Sequence, residues 1–174
     1  TLDSRGNETE TEYDRAYRVV LARGPEVADA EGGANVRPVT QTVYDQNSNV
    51  TLVTDPRGVQ TETTYDELNR LTDIEHANSS ELVAFYRYQY DADSRISSIE
   101  DIDGTTTYAY DAAFRLVTKT NPGGTTVQYT YDGANRVTSV TDERGEVTTY
   151  AYDANGNLER IDNSTSQAAG FWAI

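Results

Sequence analysis

A tyrosine followed by an aspartate recurs along this chain at a near-constant interval, and that interval constrains the fold more than any other feature. The pair occurs as Tyr13-Asp14, Tyr44-Asp45, Tyr65-Asp66, Tyr90-Asp91, Tyr110-Asp111, Tyr131-Asp132 and Tyr152-Asp153, at successive spacings of 31, 21, 25, 20, 21 and 21 residues. Repetition in a single phase marks an array of small supersecondary units, each unable to bury its apolar side alone. The pattern extends beyond the pair. Five residues after each tyrosine stands Arg18, Asn49, Arg70, Arg95, Arg115, Arg136 or Asn157, and the next residue is always aliphatic: Val19, Val50, Leu71, Ile96, Leu116, Val137 or Leu158. A glycine precedes the tyrosine by six or seven residues in five copies (Gly6, Gly58, Gly104, Gly124, Gly145), and Tyr88, Tyr108, Tyr129 and Tyr150 stand two residues before it in four.

One unit, from Tyr131 to Tyr152, reads as a β-hairpin. Arg136 to Thr141 is a short β-prone run, Asp142-Glu143-Arg144-Gly145 is a turn, and Glu146 to Tyr152 is a second run. Gly145 supplies the positive φ that a returning hairpin needs, and Asp142 can accept from its own turn amides. The following turn, Asp153 to Asn157, contains Asn-Gly, so the chain is expected to alternate two kinds of turn. Successive strand residues point to opposite faces, which puts Tyr150 with Tyr152, Tyr108 with Tyr110 and Tyr129 with Tyr131 on one aromatic face. Aromatic and β-branched neighbours across strands contribute about 0.2–1 kcal/mol per pair, so stability is expected to be collective.

Composition narrows the function classes. The apolar fraction is 36% and the net charge is −15, with a mean hydropathy of −0.70; such values usually signal disorder, but 13 tyrosines and many threonines and valines favour strands instead. With 29 acidic against 14 basic residues, binding to nucleic acid or insertion at an anionic membrane is not expected, because both need clustered cations. Absence of cysteine excludes disulfides, thiol chemistry and cysteine-based zinc sites. Thr1 opens the chain within a repeat, so the sequence reads as a processed form or a piece of a longer protein.

At these residues the sequence resembles the RHS/YD-repeat family. Tyr65-Asp66-Glu67-Leu68-Asn69-Arg70-Leu71 and Tyr131-Asp132-Gly133-Ala134-Asn135-Arg136-Val137 match its unit closely. The resemblance implies an all-β fold of tandem hairpins joined edge to edge into a long, twisted, spiralling strip, which in bacterial toxin systems forms a shell around a cleaved effector. It assigns residues 1–162 to the repeat array, with insertions near 24–38 and 76–83, and leaves 163–174 as a non-repeat tail. It further implies a secreted or cell-surface structural protein that is not an enzyme and has no cofactor. Its partners would be further YD repeats of the same protein, or identical copies added by edge pairing, and an enclosed cargo. A self-assembling extracellular filament or adhesin built from the same hairpins is the alternative.

Candidate sites are few. His76, the sole histidine, falls in an insertion rich in loop-forming residues and reads as an exposed loop side chain, not a catalytic base. The seven Tyr-Asp aspartates read as recurring turn caps. Asp45-Gln46-Asn47-Ser48-Asn49, Asp153-Ala154-Asn155-Gly156-Asn157 and Asp91-Ala92-Asp93 imitate the opening of a calcium loop but lack its closing glutamate; Pro56, Ser164 and Ile102 stand there. Sequons at Asn7, Asn49, Asn78 and Asn163 make glycosylation a question, with Asn78 in its polar insertion the favoured position. Phe171-Trp172-Ala173-Ile174 forms an apolar tail that can plug a neighbour or continue the chain.

Overall fold

The computed structural model describes residues 8–27, 36–78 and 81–164. Gly6, the Asn7 sequon, the middle of the first insertion and the tail at Phe171 to Ile174 lie outside the described residues. The chain divides into two compact units, residues 1–88 and 89–174. The first contains β1 (Glu10–Tyr13), β2 (Val19–Arg23), β3 (Val39–Tyr44), β4 (Val50–Thr54), β5 (Val59–Tyr65), β6 (Leu71–Asn78) and all but the last two residues of β7 (Glu81–Tyr90). The second contains β8 (Ile96–Asp101), β9 (Gly104–Tyr110), β10 (Leu116–Thr120), β11 (Thr126–Tyr131), β12 (Val137–Thr141), β13 (Val147–Tyr152) and β14 (Leu158–Asn163). Within each unit every strand pairs antiparallel with its chain neighbour, so spatial order follows sequence order. The all-β array of hairpins expected from the repeat is the fold.

β1, β3, β5, β9, β11 and β13, which each end in a Tyr-Asp tyrosine, meet their successors through a β-bulge. Tyr131 pairs with Val137 while Thr130 pairs with Ser139, leaving Thr138 as the extra residue. Val20, Thr51, Thr72, Val117 and Glu159 are extra in the same place after Tyr13, Tyr44, Tyr65, Tyr110 and Tyr152. A bulge shifts the facing by one residue, so positions three apart share a face. Thus Val137 and Val140 lie opposite Tyr131 and Tyr129, and Leu71 and Ile74 lie opposite Tyr65 and Thr63. The bulge residue is often a threonine whose hydroxyl is held by the strand beside it, as in Thr130 to Thr138 and Thr64 to Thr72, both at 2.8 Å.

In β5, β9 and β11 the tyrosine face is half-buried and the opposite face exposed. No apolar side chain is buried among the described residues, and the one buried polar side chain is Ser98, at 8% exposure. The aromatic face is therefore a half-covered layer of cross-strand pairs and not a dry core.

Both insertions fall between the paired strands of a hairpin, as expected, but part of the second is strand and not loop. Residues 76–78 belong to β6, and the second insertion is largely absorbed by lengthening β6 to 8 and β7 to 10 residues. His76 pairs with Thr61 and Ala84 in the sheet; alternation of side chains in a paired strand, not the loop-like composition around it, decides its setting. In the first insertion, Val27 and Val36 form an antiparallel bridge beyond the β2–β3 hairpin.

Candidate functional site: an aspartate, arginine and tyrosine ladder

Each Tyr-Asp aspartate begins a five-residue turn. Its amide donates to the carbonyl four residues on, as from Asp14 to Arg18 (2.9 Å) and from Asp132 to Arg136 (3.0 Å), and its carbonyl accepts from the residue three on. That fourth residue sits in the left-handed region: Tyr17, Ser48, Asn69, Ser94, Phe114, Asn135 and Gly156 have φ between 59° and 89°. A type I turn closed by one left-handed residue has this hydrogen-bond pattern. The intervening turns at Asp55, Asn121 and Asp142 make the same pair of bonds, with Gly58, Gly124 and Gly145 in the left-handed place. Two kinds of turn were expected; one backbone geometry serves both, because its hydrogen bonds fix the left-handed residue whether or not it is glycine. Gly104 is the exception, at φ 123°, and closes the tighter Asp101–Gly104 reversal.

The aspartate side chain organises the turn. Asp132 Oδ1 accepts the amides of Ala134 and Arg136, both at 2.9 Å, and Oδ2 accepts Arg136 Nε at 2.7 Å. Asp14 with Arg18, Asp66 with Arg70, Asp91 with Arg95 and Asp111 with Arg115 repeat this arrangement. In the remaining two turns the Asn49 and Asn157 amides donate to Asp45 and Asp153 at 2.9 and 3.0 Å. The backbone amides of Arg18, Arg70, Arg115 and Arg136, followed by their guanidinium groups, hold Asp14, Asp66, Asp111 and Asp132 below the ordinary carboxylate range. At Asp91 partial desolvation pulls upward, but the Arg95 amide and side chain outweigh it. At Asp45 and Asp153 the asparagine side chain leads the same lowering. These carboxylates are committed acceptors, poorly suited to carry a proton at neutral pH.

The arginine then reaches the next repeat. The guanidinium carbons of Arg18, Arg95, Arg115 and Arg136 lie 4.5, 4.7, 4.6 and 4.5 Å from the ring centres of Tyr44, Tyr110, Tyr131 and Tyr152. Those tyrosine hydroxyls donate back to the carbonyls of Val19, Ile96, Leu116 and Val137 at 2.7–3.0 Å. Arg18 and Arg115 also donate to the main-chain carbonyls of Asp45 and Asp132, at 3.1 and 3.0 Å. Throughout the second unit, and between the Asp14 and Asp45 turns of the first, the repeats are thus linked by aspartate-fixed guanidinium groups stacked on tyrosines.

The Tyr-Asp aspartates are thus engaged in turn bonds. Asp45 Oδ1 accepts the amides of Asn47 and Asn49 at 2.9 and 2.8 Å, so the calcium-like segment is a capped turn; no cluster of three metal-ligating side chains occurs among the described residues. His76 Nδ1 lies 2.9 Å from the Thr61 hydroxyl. Asn78 ends β6 and is exposed. Sequence reasoning missed the bulge and the contact between arginine and the following tyrosine. The bulge had a signal, aliphatic residues three apart in a strand; the contact joins residues of different repeats and left none within a single unit.

The RHS Repeat family profile matches residues 44–81, 90–126, 115–146 and 131–168, more than half of the chain. No curated protein matches. Among solved structures, TcdB2-TccC3-Cdc42 aligns with TM-score 0.69 and 17% identity over 89% of this chain and 9% of that one. TcdB2-TccC3 aligns with TM-score 0.68 and 17% identity over 88% and 9%, and the Photorhabdus luminescens Tc holotoxin pore with TM-score 0.59 and 22% identity over 94% and 8%. These likenesses are of fold, and this chain spans less than a tenth of each relative. With the family profile matching four segments that together cover more than half of it, the chain belongs to the RHS repeat family.

Proposed function

We propose that this chain is a non-catalytic wall segment of a secreted or cell-surface RHS protein, forming part of a β-shell that encloses a toxin or other cargo. The observation that carries the reading is the way each unit is built: consecutive hairpins add to one sheet with no apolar side chain buried among the described residues, and side chains of one turn reach the next, by a stacked arginine in all but one described link. Such a sheet lengthens by adding repeats, since each new hairpin needs only its neighbour. The fold shared with part of the TcdB2-TccC3 chains supports a place in a larger toxin-type assembly. A structural role accords with the side chains available, because the aspartates are engaged in turn bonds and the sole histidine bonds a threonine within the sheet. The acidic surface favours solubility of a wall with so little buried area. Glycosylation at the exposed Asn78 belongs to the same reading, as a modification of an outward hairpin tip.

Electron microscopy of the full polypeptide that carries these repeats tests the proposal. Closed hollow particles are expected, with their contents resistant to added protease. Long fibres would instead assign the repeats to an edge-paired filament or adhesin and overturn the shell.

A further inference from the structure

The link from the second Tyr-Asp turn to the third differs from its counterparts. Elsewhere in the described ladder a guanidinium covers the following tyrosine, but the second repeat carries Asn49 in the arginine position. The Asn49 amide reaches Asp45 Oδ2 and Asn69 Oδ1, at 2.9 and 3.0 Å, and Asn47 also donates to Asn69 Oδ1 at 2.9 Å. An asparagine spans the two turns but is too short to extend over the Tyr65 ring. The Val50 carbonyl here accepts the Thr63 hydroxyl, where the corresponding carbonyls Val19, Ile96, Leu116 and Val137 accept a tyrosine. The Asp66 carbonyl accepts the Asn69 turn amide at 3.0 Å, while its counterparts at Asp45 and Asp132 also accept a guanidinium.

We propose that Tyr65 and the Asp66 carbonyl form a recognition point for a guanidinium group, presented by an arginine side chain of a polypeptide partner. The same molecule shows the chemistry: a ring face plus a turn carbonyl holds Arg18 over Tyr44 and Arg115 over Tyr131. A planar, weakly hydrated cation suits a ring face better than the compact lysine ammonium does. The net charge of −15 draws cationic partners toward the site. Whether the repeats build a shell or a fibre does not enter this inference.

The test is an NMR titration of the labelled protein with N-acetyl-arginine amide at low salt. Saturable shifts are expected at the Tyr65 ring and the amides of Asp66 to Asn69, exceeding those at Tyr44, which already carries Arg18. N-acetyl-lysine amide is expected to bind about threefold or more weakly. Asn49→Arg supplies the cation internally and Tyr65→Leu removes the ring; each is expected to weaken binding about fivefold or more, whereas Tyr65→Phe keeps it. Absence of a saturable shift at Tyr65, an equal response to lysine, or unchanged binding in Tyr65→Leu would overturn the proposal. If Asn49→Arg does not fold, the Tyr65→Leu and Tyr65→Phe pair decides it.

Discussion

Six of the seven Tyr-Asp turns place a residue with a side chain in the left-handed region, where its Cβ crowds the backbone. Asn69 and Asn135 tolerate this, but Tyr17 and Phe114 are aromatic and do so at a cost of about 1–2 kcal/mol each. The aspartate cap offsets that cost by fixing the turn from both sides. Tyr17 is 88% exposed, so little packing is lost on truncation. Tyr17→Gly is therefore expected to raise stability by about 1 kcal/mol, read from the midpoint of urea unfolding. Phe114→Gly should gain less, because Arg95 stacks 4.7 Å from the Phe114 ring centre. The need for a special residue at this position was legible in the Asn-Gly pair that ends at Gly156. It was invisible in Tyr17, whose conformation comes from the bonds around it and not from its own preference.

At the scale of the hairpin, the bulge reconciles a strict pleat with an aliphatic spacing of three. Without the extra Thr138, Val137 and Val140 could not both lie opposite the tyrosines of β11, since a slip of one residue turns a side chain to the other face. Deleting Thr138 is expected to destabilise the second unit by about 2 kcal/mol or more, roughly the loss of one half-buried aliphatic side chain and its aromatic neighbour. Thr138→Ser, which keeps the bulge and a hydroxyl facing Thr130, should stay within about 0.5 kcal/mol. Equal melting of the deletion variant and the parent would remove the bulge from the account. The strands themselves were legible from Tyr-x-Tyr alternation. The lengthened β6 and β7 were not, because His76-Ala77-Asn78 has the composition of a loop and becomes strand only through pairing with β5 and β7.

Across the described residues, stability is the sum of many weak links with no buried apolar side chain behind them, so acid acts on all of them together. The carboxylates of Asp14, Asp45, Asp55, Asp66, Asp91, Asp111, Asp132 and Asp153 are all held below the ordinary value of 3.8. A lowered folded pKa means a contribution that is complete above the unfolded value and lost as pH falls through the folded one. Neutralising other acids first relieves repulsion in a chain of charge −15, which opposes the loss. Below the usual carboxylate range the caps themselves protonate while 14 basic residues remain charged, so both effects then destabilise. Melting followed by circular dichroism should accordingly hold or rise slightly toward pH 4 and fall steeply below it. A flat profile down to pH 2 would contradict the role given to the caps. The sequence by itself determined the all-β class, the phase of the hairpins and the aromatic side, because a period of about 21 residues with Tyr-x-Tyr alternation admits few other folds. Only the tertiary structure decided which arginine meets which tyrosine, where the bulge falls and that the aromatic face stays half-open, because these depend on register between strands that the chain alone does not align.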